Sequence, residues 1–265
     1  MTDITALDSK SPNIELYREG GVLHLVLNRP ERKNALTQAM YGALAQAIEM
    51  AGEEAEVKVL LIRGAGECFT SGNDLEDFMD NPTGIESSSV MRFMQALYLT
   101  SKPVVAAIEG AAIGIGTTML LHCDLVYAAA GTRLQLPFVN LGLCPEYASS
   151  LLLPRMLGHV RAAELLFLGE SFSAERAEEL GLVNQVVSDD ELLLIAKERC
   201  QFLAQQPPAA LRHTKQLLKE SWREEGQAVI RREAELFAGS LQSAEFGEAV
   251  AAFFEKRKPD FSNFS

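Results

Sequence analysis

The sequence predicts an α/β fold with a helical C-terminal region, and three observations carry that prediction. Short, nearly continuous apolar runs at 57–62, 103–108 and 125–128 read as strands buried on both faces, the pattern of parallel pairing. Helical stretches separate these runs, so strand and helix alternate along the chain. Beyond residue 187 the strand pattern is gone, and 192–203, 209–222, 228–241 and 244–256 repeat apolar residues at helical spacing. The division falls as a core over 1–186 and a helical region over 187–265.

Each element has a local reason. Ile14 and Leu16, then Val22, Leu23, Leu25, Val26 and Leu27, flank Gly20-Gly21 and predict a β-hairpin over 13–28. Pro30, in Asn28-Arg29-Pro30, ends the second strand because it cannot continue a ladder. Thr37 is placed to cap a helix whose apolar face is Met40, Leu44, Ala47, Ile48 and Ala51. Pro207-Pro208 separates the first two C-terminal helices, whose apolar stripes must pack on the chain's own core or on a neighbouring subunit.

Composition narrows the function. With 48% hydrophobic and 23% charged residues in 265, the chain is too apolar for disorder and long enough for one large domain. The formal charge of −12, from 24 Lys and Arg against 36 Asp and Glu, repels nucleic acid and anionic membrane. The longest basic run, Lys256-Arg257-Lys258, is too short to reverse that. Cys68, Cys123, Cys144 and Cys200 are widely spaced and read as reduced thiols. The polar start MTDITALDSK has no leader-like apolar stretch, the final SNFS is no retention or peroxisomal address, and no run reaches the roughly 18 apolar residues of a membrane span. A cytoplasmic location is expected.

Two glycine loops follow buried strands: Phe69-Thr70-Ser71-Gly72-Asn73-Asp74, and Gly110-Ala111-Ala112-Ile113-Gly114-Ile115-Gly116. Such junctions leave backbone N–H groups unpaired, and two side by side can supply two donors to one developing oxyanion. The plain alternative for either loop is a tight turn. The second loop also matches GxxxGxG, and Tyr98 to Lys102 forms a YxxxK, a pairing found in dinucleotide-binding oxidoreductases. There the glycine loop closes the first strand and YxxxK lies far downstream; here the order is reversed, and no acidic residue ends the next strand.

Read in order, Asn28-Arg29-Pro30, Lys33-Asn34-Ala35-Leu36, Ser71-Gly72-Asn73-Asp74, Lys102-Pro103, the second glycine loop, Cys123-Asp124, the stretch from Ala174 to Val183 and the tail Phe253 to Lys258 resemble the crotonase (enoyl-CoA hydratase/isomerase) superfamily. The resemblance covers most of the chain. It implies a crotonase-like ββα spiral core, with 187–265 as a helical trimerisation region, assembled as a homotrimer or a dimer of trimers. It also implies acyl-CoA thioester substrates and no metal or redox cofactor, CoA being part of the substrate. The implied oxyanion hole is the backbone N–H of Asn73 and of Ile115. Substrate and CoA contacts fall on Arg32, Lys33, Ala35 and Ser71, with Phe253 and Lys256 reaching CoA from the neighbouring subunit. Where relatives place a basic residue for the CoA phosphates, this chain has Leu75-Glu76-Asp77. Phe78, Met79, Met91, Phe93 and Tyr98 occupy the segment that lines the acyl pocket in relatives, or else form a core stripe.

The reaction depends on where carboxylates sit. The two positions that hold glutamates in hydratases hold Thr118 and Phe138 here, and neither moves a proton at neutral pH. Pro137-Phe138, then Leu141-Gly142, then Pro145-Glu146 resembles the Δ3,Δ2-enoyl-CoA isomerase branch, which implies Glu146 as the single catalytic base. A solvent-facing glutamate at a helix start is the plain alternative. Two other readings are another crotonase-fold reaction, such as enoyl-CoA hydration, and a non-catalytic CoA-binding member. Asp74 is expected to cap a helix and Asp124 to pin a strand start. His24, His122, His159 and His213 share no metal-ligand spacing. On an acidic chain, an anionic CoA ester requires a small basic exception, with Arg32, Lys33 and Lys256-Arg257-Lys258 as its candidates.

Overall fold

Six consecutive buried residues, Val22–Leu27, pair antiparallel with the strand before them and parallel with the strand after the first helix, so the sheet is mixed. The computed structural model describes residues 4–80 and 88–264, with no account of the side chains of 78–80. Its strands are β1 (Ile4–Leu7), β2 (Ile14–Glu19), β3 (Val22–Leu27), β4 (Val59–Gly64), β5 (Val104–Ile108), β6 (Ala111–Ile113), β7 (Leu125–Ala129), β8 (Arg133–Gln135), β9 (Phe172–Ser173) and β10 (Gln185–Val187). Seven form one sheet in the order β1-β2-β3-β4-β5-β7-β10, and β6, β8 and β9 form a second, smaller one. From β3 to β10 every pairing in the large sheet is parallel.

The predicted hairpin is β2–β3, turned through Gly20 and Gly21, both at positive φ. The strand expected at 57–62 lies two residues later. Val57 is buried, but its carbonyl is taken by the Lys102 ammonium at 2.7 Å. The strand runs on to Gly64 because Leu27 pairs with it. Only glycine fits there, since a Cβ would stand 2.1 Å from the Cys68 carbonyl oxygen.

The helices are α1 (Gln38–Glu53), α2 (Leu75–Asp80), α3 (Ser89–Leu99), α4 (Ile115–Thr118), α5 (Ser149–Leu157), α6 (His159–Leu168), α7 (Ala174–Glu179), α8 (Asp189–Ala204), α9 (Pro208–Glu220), α10 (Arg223–Ser240) and α11 (Ala244–Phe254). Thr37 caps α1 as expected, its hydroxyl accepting the Met40 N–H. One face of the large sheet packs Val22, Val59, Leu61 and Val105 against Leu192, Ala196, Cys200 and Ala204 of α8. The other face packs Leu25, Leu60, Ile62 and Ala106 against α1 and α3, and joins Ile230 of α10 with Phe246 and Val250 of α11. The stripes of these C-terminal helices therefore find their partner in the chain's own core, where burying a large apolar side chain contributes about 1.5–3 kcal/mol. By contrast, α9 buries only Lys215 and leaves Leu217 and Leu218 exposed.

Several residues resolve into structural roles. The Tyr98 hydroxyl donates to the Arg223 carbonyl at 2.9 Å, and the Lys102 ammonium donates to Glu54 and Val57 carbonyls, so the YxxxK pair braces the core. Asp124 accepts the Val104 N–H and the Lys215 ammonium, each at 2.7 Å, and so pins the start of β5, the neighbour of its own strand. No helix among the described residues is long and apolar enough to cross a membrane.

Candidate active site

The two glycine loops are laced together. Thr70 N–H donates to the Ala111 carbonyl at 2.9 Å, and Ile113 N–H donates to the Thr70 carbonyl at 3.1 Å. Gly72, at φ +93°, lets the first loop lie against the second, since a Cβ there would meet the Ile113 oxygen at 2.9 Å. Asn73 follows, bridged in parallel to Leu36. The bridge uses the Gly72 carbonyl and the Asp74 N–H, so the Asn73 N–H points to the opposite side. In the second loop Gly114 takes φ 57°, ψ −118°, a conformation only glycine adopts readily, and Ile115 opens α4. Its N–H is among the first-turn donors that have no acceptor within the helix. Asn73 and Ile115 line one cleft, about 730 Å³ in volume, ample for an acyl thioester.

Glu146 lines the same cleft at 5% exposure, and its Oε1 has no partner among the described residues. Burial, and secondarily the charge of Glu233, push its carboxyl up to about 8. After it, Tyr147 and Ala148 both hold left-handed backbone, φ 59° and 57°, before α5 begins. Tyr147 is anchored at both ends: its hydroxyl donates to the Met94 carbonyl at 2.8 Å, and its carbonyl accepts His122 Nε2–H at 2.8 Å. The solvent-facing alternative for Glu146 is thus excluded by its burial.

The residues expected at the CoA end divide. Arg32, Lys33, Ala35 and Ser71 all line the cleft. Lys33 and Asn34 are left-handed, and the fully buried Asn34 amide fixes them by bonding Arg29 N–H at 2.8 Å and the carbonyls of Ala65 and Cys68 at 3.0 and 2.6 Å. Ser71 N–H donates to the Lys33 carbonyl at 2.9 Å, tying this turn to the first glycine loop. Arg32 is paired with Glu76 at 2.9 Å, so the acidic departure after the first loop neutralises the cation at the cleft mouth. Asp74 caps α2 by accepting the Asp77 N–H and also holds Arg29 at 2.6 Å.

Phe253 lines the cleft of its own chain, together with Phe254, and is 61% exposed there. It is brought there by the return of α11 over the site: Phe246 and Val250 are buried in the core, and Gly142 at φ 66° leaves room for the α11 backbone, where a Cβ would meet Phe246 N at 2.9 Å. Lys256 lies past the end of α11, exposed and outside the cleft lining.

Phe138 lines the cleft and Thr118 is fully buried, so neither hydratase position presents a carboxylate. Met91, Phe93 and Tyr98 belong to the core stripe, and the side chains of Phe78 and Met79 lie outside the described residues. His24 and His122 are buried, and burial lowers them to about 4 and about 3, so both are neutral packing groups. His159 and His213 are exposed. No cluster of three or more His, Cys, Asp or Glu suited to a metal occurs among the described residues. Phe237, Leu241 and Phe246 complete the cleft wall. Their apolar spacing in the sequence is that of ordinary core-facing helix residues, so no local signal marks them.

This arrangement brings the two glycine loops and a buried carboxyl with a raised pKa to one apolar cleft. Comparison with known proteins gives the family. The family model described as "Enoyl-CoA hydratase/isomerase" matches residues 17–263, and the chain belongs to this family. It is 38% identical over 253 residues to 1,2-epoxyphenylacetyl-CoA isomerase of Escherichia coli (strain K12), covering 92% of this chain and 96% of that protein. It is 33% identical over 245 residues to 2,3-dehydroadipyl-CoA hydratase of the same organism, again covering 92% and 96%. The crystal structure of an enoyl-CoA hydratase/isomerase from Pseudoalteromonas atlantica T6c superposes with a TM-score of 0.90 at 42% identity, over 94% of this chain and all of that one. The fold is the crotonase fold, α/β with a C-terminal helical region. The relatives include both isomerases and hydratases.

Proposed function

We propose that this protein is a Δ3,Δ2-enoyl-CoA isomerase of fatty-acid β-oxidation, working in the cytoplasm with Glu146 as its one base. The observation that carries the reading is the buried Glu146 carboxyl, with an unpartnered oxygen, in the cleft lined by Asn73 and Ile115. The thioester carbonyl accepts the Asn73 and Ile115 N–H groups, which draw charge onto oxygen as C2 loses its proton. Glu146 takes that proton, and the electron pair spreads over a dienolate from the oxygen to C4. Returning the proton at C4 leaves the double bond between C2 and C3. One carboxylate can serve both carbons because the dienolate is flat. A base of this kind contributes about 10²–10⁴ in rate, and each oxyanion donor about 10²–10³.

Arg32, Lys33, Ala35 and Ser71 hold the CoA portion at the mouth, and Phe253 covers the cleft. The reaction asks for no metal and no redox cofactor. We place Lys256 at the mouth of a neighbouring subunit's cleft in a homotrimer or dimer of trimers, with 187–265 supplying the trimer contacts. The absence of a carboxylate at Thr118 and Phe138 favours isomerisation over hydration.

The experiment is a panel of 3-enoyl, 2-enoyl and 3-hydroxyacyl-CoA thioesters followed by product analysis. Conversion of 3-enoyl to 2-enoyl ester as the dominant turnover is the expected result. Dominant interconversion of 2-enoyl and 3-hydroxyacyl esters overturns it in favour of hydration, and CoA binding with no turnover overturns it in favour of a non-catalytic member.

A further inference from the structure

Glu233 lies on α10, 87 positions after Glu146 in the sequence, and is 5% exposed. The reaction proposed above does not use it, and a buried carboxylate is costly unless its oxygens are occupied. They are. One oxygen accepts the Ala148 N–H at 2.5 Å, and the other accepts the Ser150 N–H at 3.0 Å together with the Ser150 hydroxyl. All three donors belong to the turn just after Glu146, where Tyr147 and Ala148 hold left-handed backbone. Such residues persist only where their surroundings hold them. The same two N–H groups stand at the start of α5, where a helix has no internal acceptor for them. A carboxylate from one helix thus caps another at the point where the candidate base is displayed.

We propose that Glu233 is a positioning residue: by closing the turn at 147–150 it fixes the direction in which Glu146 meets the cleft. The proposal rests on the reading of Glu146 as the base. A second consequence follows from charge. Glu233 is the charged group that acts on Glu146, and Glu146 in turn acts on Tyr41 of α1 and on Cys144 and Tyr147 of its own loop. Burial raises both tyrosines well above 10 and raises Cys144, so these three stay neutral in an ordinary assay. Burial raises Glu233 too, but bonds from Ser150 and Ala148 oppose it, whereas Glu146 has no such donors. Both carboxyls are raised, but three donors favour charge on Glu233 and none does so on Glu146.

The test uses the full chain with a 3-enoyl-CoA. Glu233→Gln keeps the shape, removes the charge and leaves one oxygen for three donors. We expect kcat to fall about 10–10²-fold through misplacement of the base, with KM within about twofold of wild type. The acid limb of kcat/KM should also move to lower pH, since removing a neighbouring negative charge makes Glu146 easier to ionise. Ser150→Ala keeps the charge and removes one donor; it should lower kcat about threefold and leave the acid limb in place. Should Glu233→Gln fail to fold, as read by near-UV circular dichroism, Ser150→Ala alone decides. A folded Glu233→Gln protein with wild-type kcat and acid limb overturns the proposal, as does wild-type kcat in Ser150→Ala. Glu146→Gln separates the two ideas: if it stays fully active the base assignment itself fails, and if it is inactive while Glu233→Gln behaves as wild type, only the role of Glu233 falls.

Discussion

At the scale of single residues, environment decides what a carboxylate does. Asp74 caps α2 and holds Arg29, so its oxygens are engaged and its carboxyl lies below the usual range, the Arg29 and Asp77 bonds outweighing burial. Glu146 lines the same cleft without such donors, and burial drives it up to about 8. A general base must be ionised, so kcat/KM for isomerisation should be low at pH 6 and rise to a plateau above about 8, with the acid limb near that value. A pH profile measured over this range checks it; a rate already at its plateau at pH 6, as a glutamate of the ordinary value 4.5 would give, contradicts it. Glu76 offers a second prediction. It pairs with Arg32 at the cleft mouth, both side chains more than half exposed, and an anionic CoA must compete with it. Glu76→Gln should therefore lower KM for an acyl-CoA, by up to about fivefold given the small worth of an exposed pair, with kcat unchanged. An unchanged or higher KM counts against Arg32 as a CoA contact.

At the scale of elements, the readable parts were those with long or repeated patterns. The β2–β3 hairpin follows from Gly20-Gly21 between apolar runs, and α1 from Thr37 and its apolar face. The three buried parallel strands stand out as apolar runs, although β4 starts two residues late because the Val57 carbonyl serves Lys102 instead of a ladder. Strands β6, β8 and β9 have three, three and two residues, too few for any periodicity, and β1 has no buried face to imprint one. The loops of the site were readable through glycine, since Gly72 and Gly114 need backbone that other residues resist. Glu233 was not: Arg231-Arg232-Glu233 reads as a solvated helix face, and only tertiary packing buries its third member. The cap on α1 gives a quantitative check. Thr37→Ala should cost about 1 kcal/mol of stability in denaturant unfolding, and a cost near zero would show that packing of α1 on α3 makes the cap redundant.

For the whole molecule, the charge of −12 takes on a narrower meaning. It opposes nucleic acid, and the anionic substrate proposed above calls for local cations, of which Arg32 and Lys33 line the cleft. The C-terminal region serves this cleft from within the same chain, since α10 and α11 supply Phe237, Phe246 and Phe253 to its wall. On the exterior, Val160 and Phe167 of α6 and Leu217 and Leu218 of α9 are exposed. A trimer or hexamer is the assembly proposed, so light scattering should give three or six times the 29.0 kDa chain mass; a monomer would contradict it.

In the proposed reaction one buried carboxylate, Glu146, carries the proton from C2 to C4 of a thioester held by two backbone donors. The most direct measurement is the initial rate of 3-enoyl-CoA to 2-trans-enoyl-CoA conversion by Glu146→Gln beside wild type, at pH 9 where the wild-type base is ionised. The variant keeps size and burial and loses the base, so the rate should fall by about 10²–10⁴ while the acyl-CoA still binds. Wild-type turnover in the variant would contradict the account.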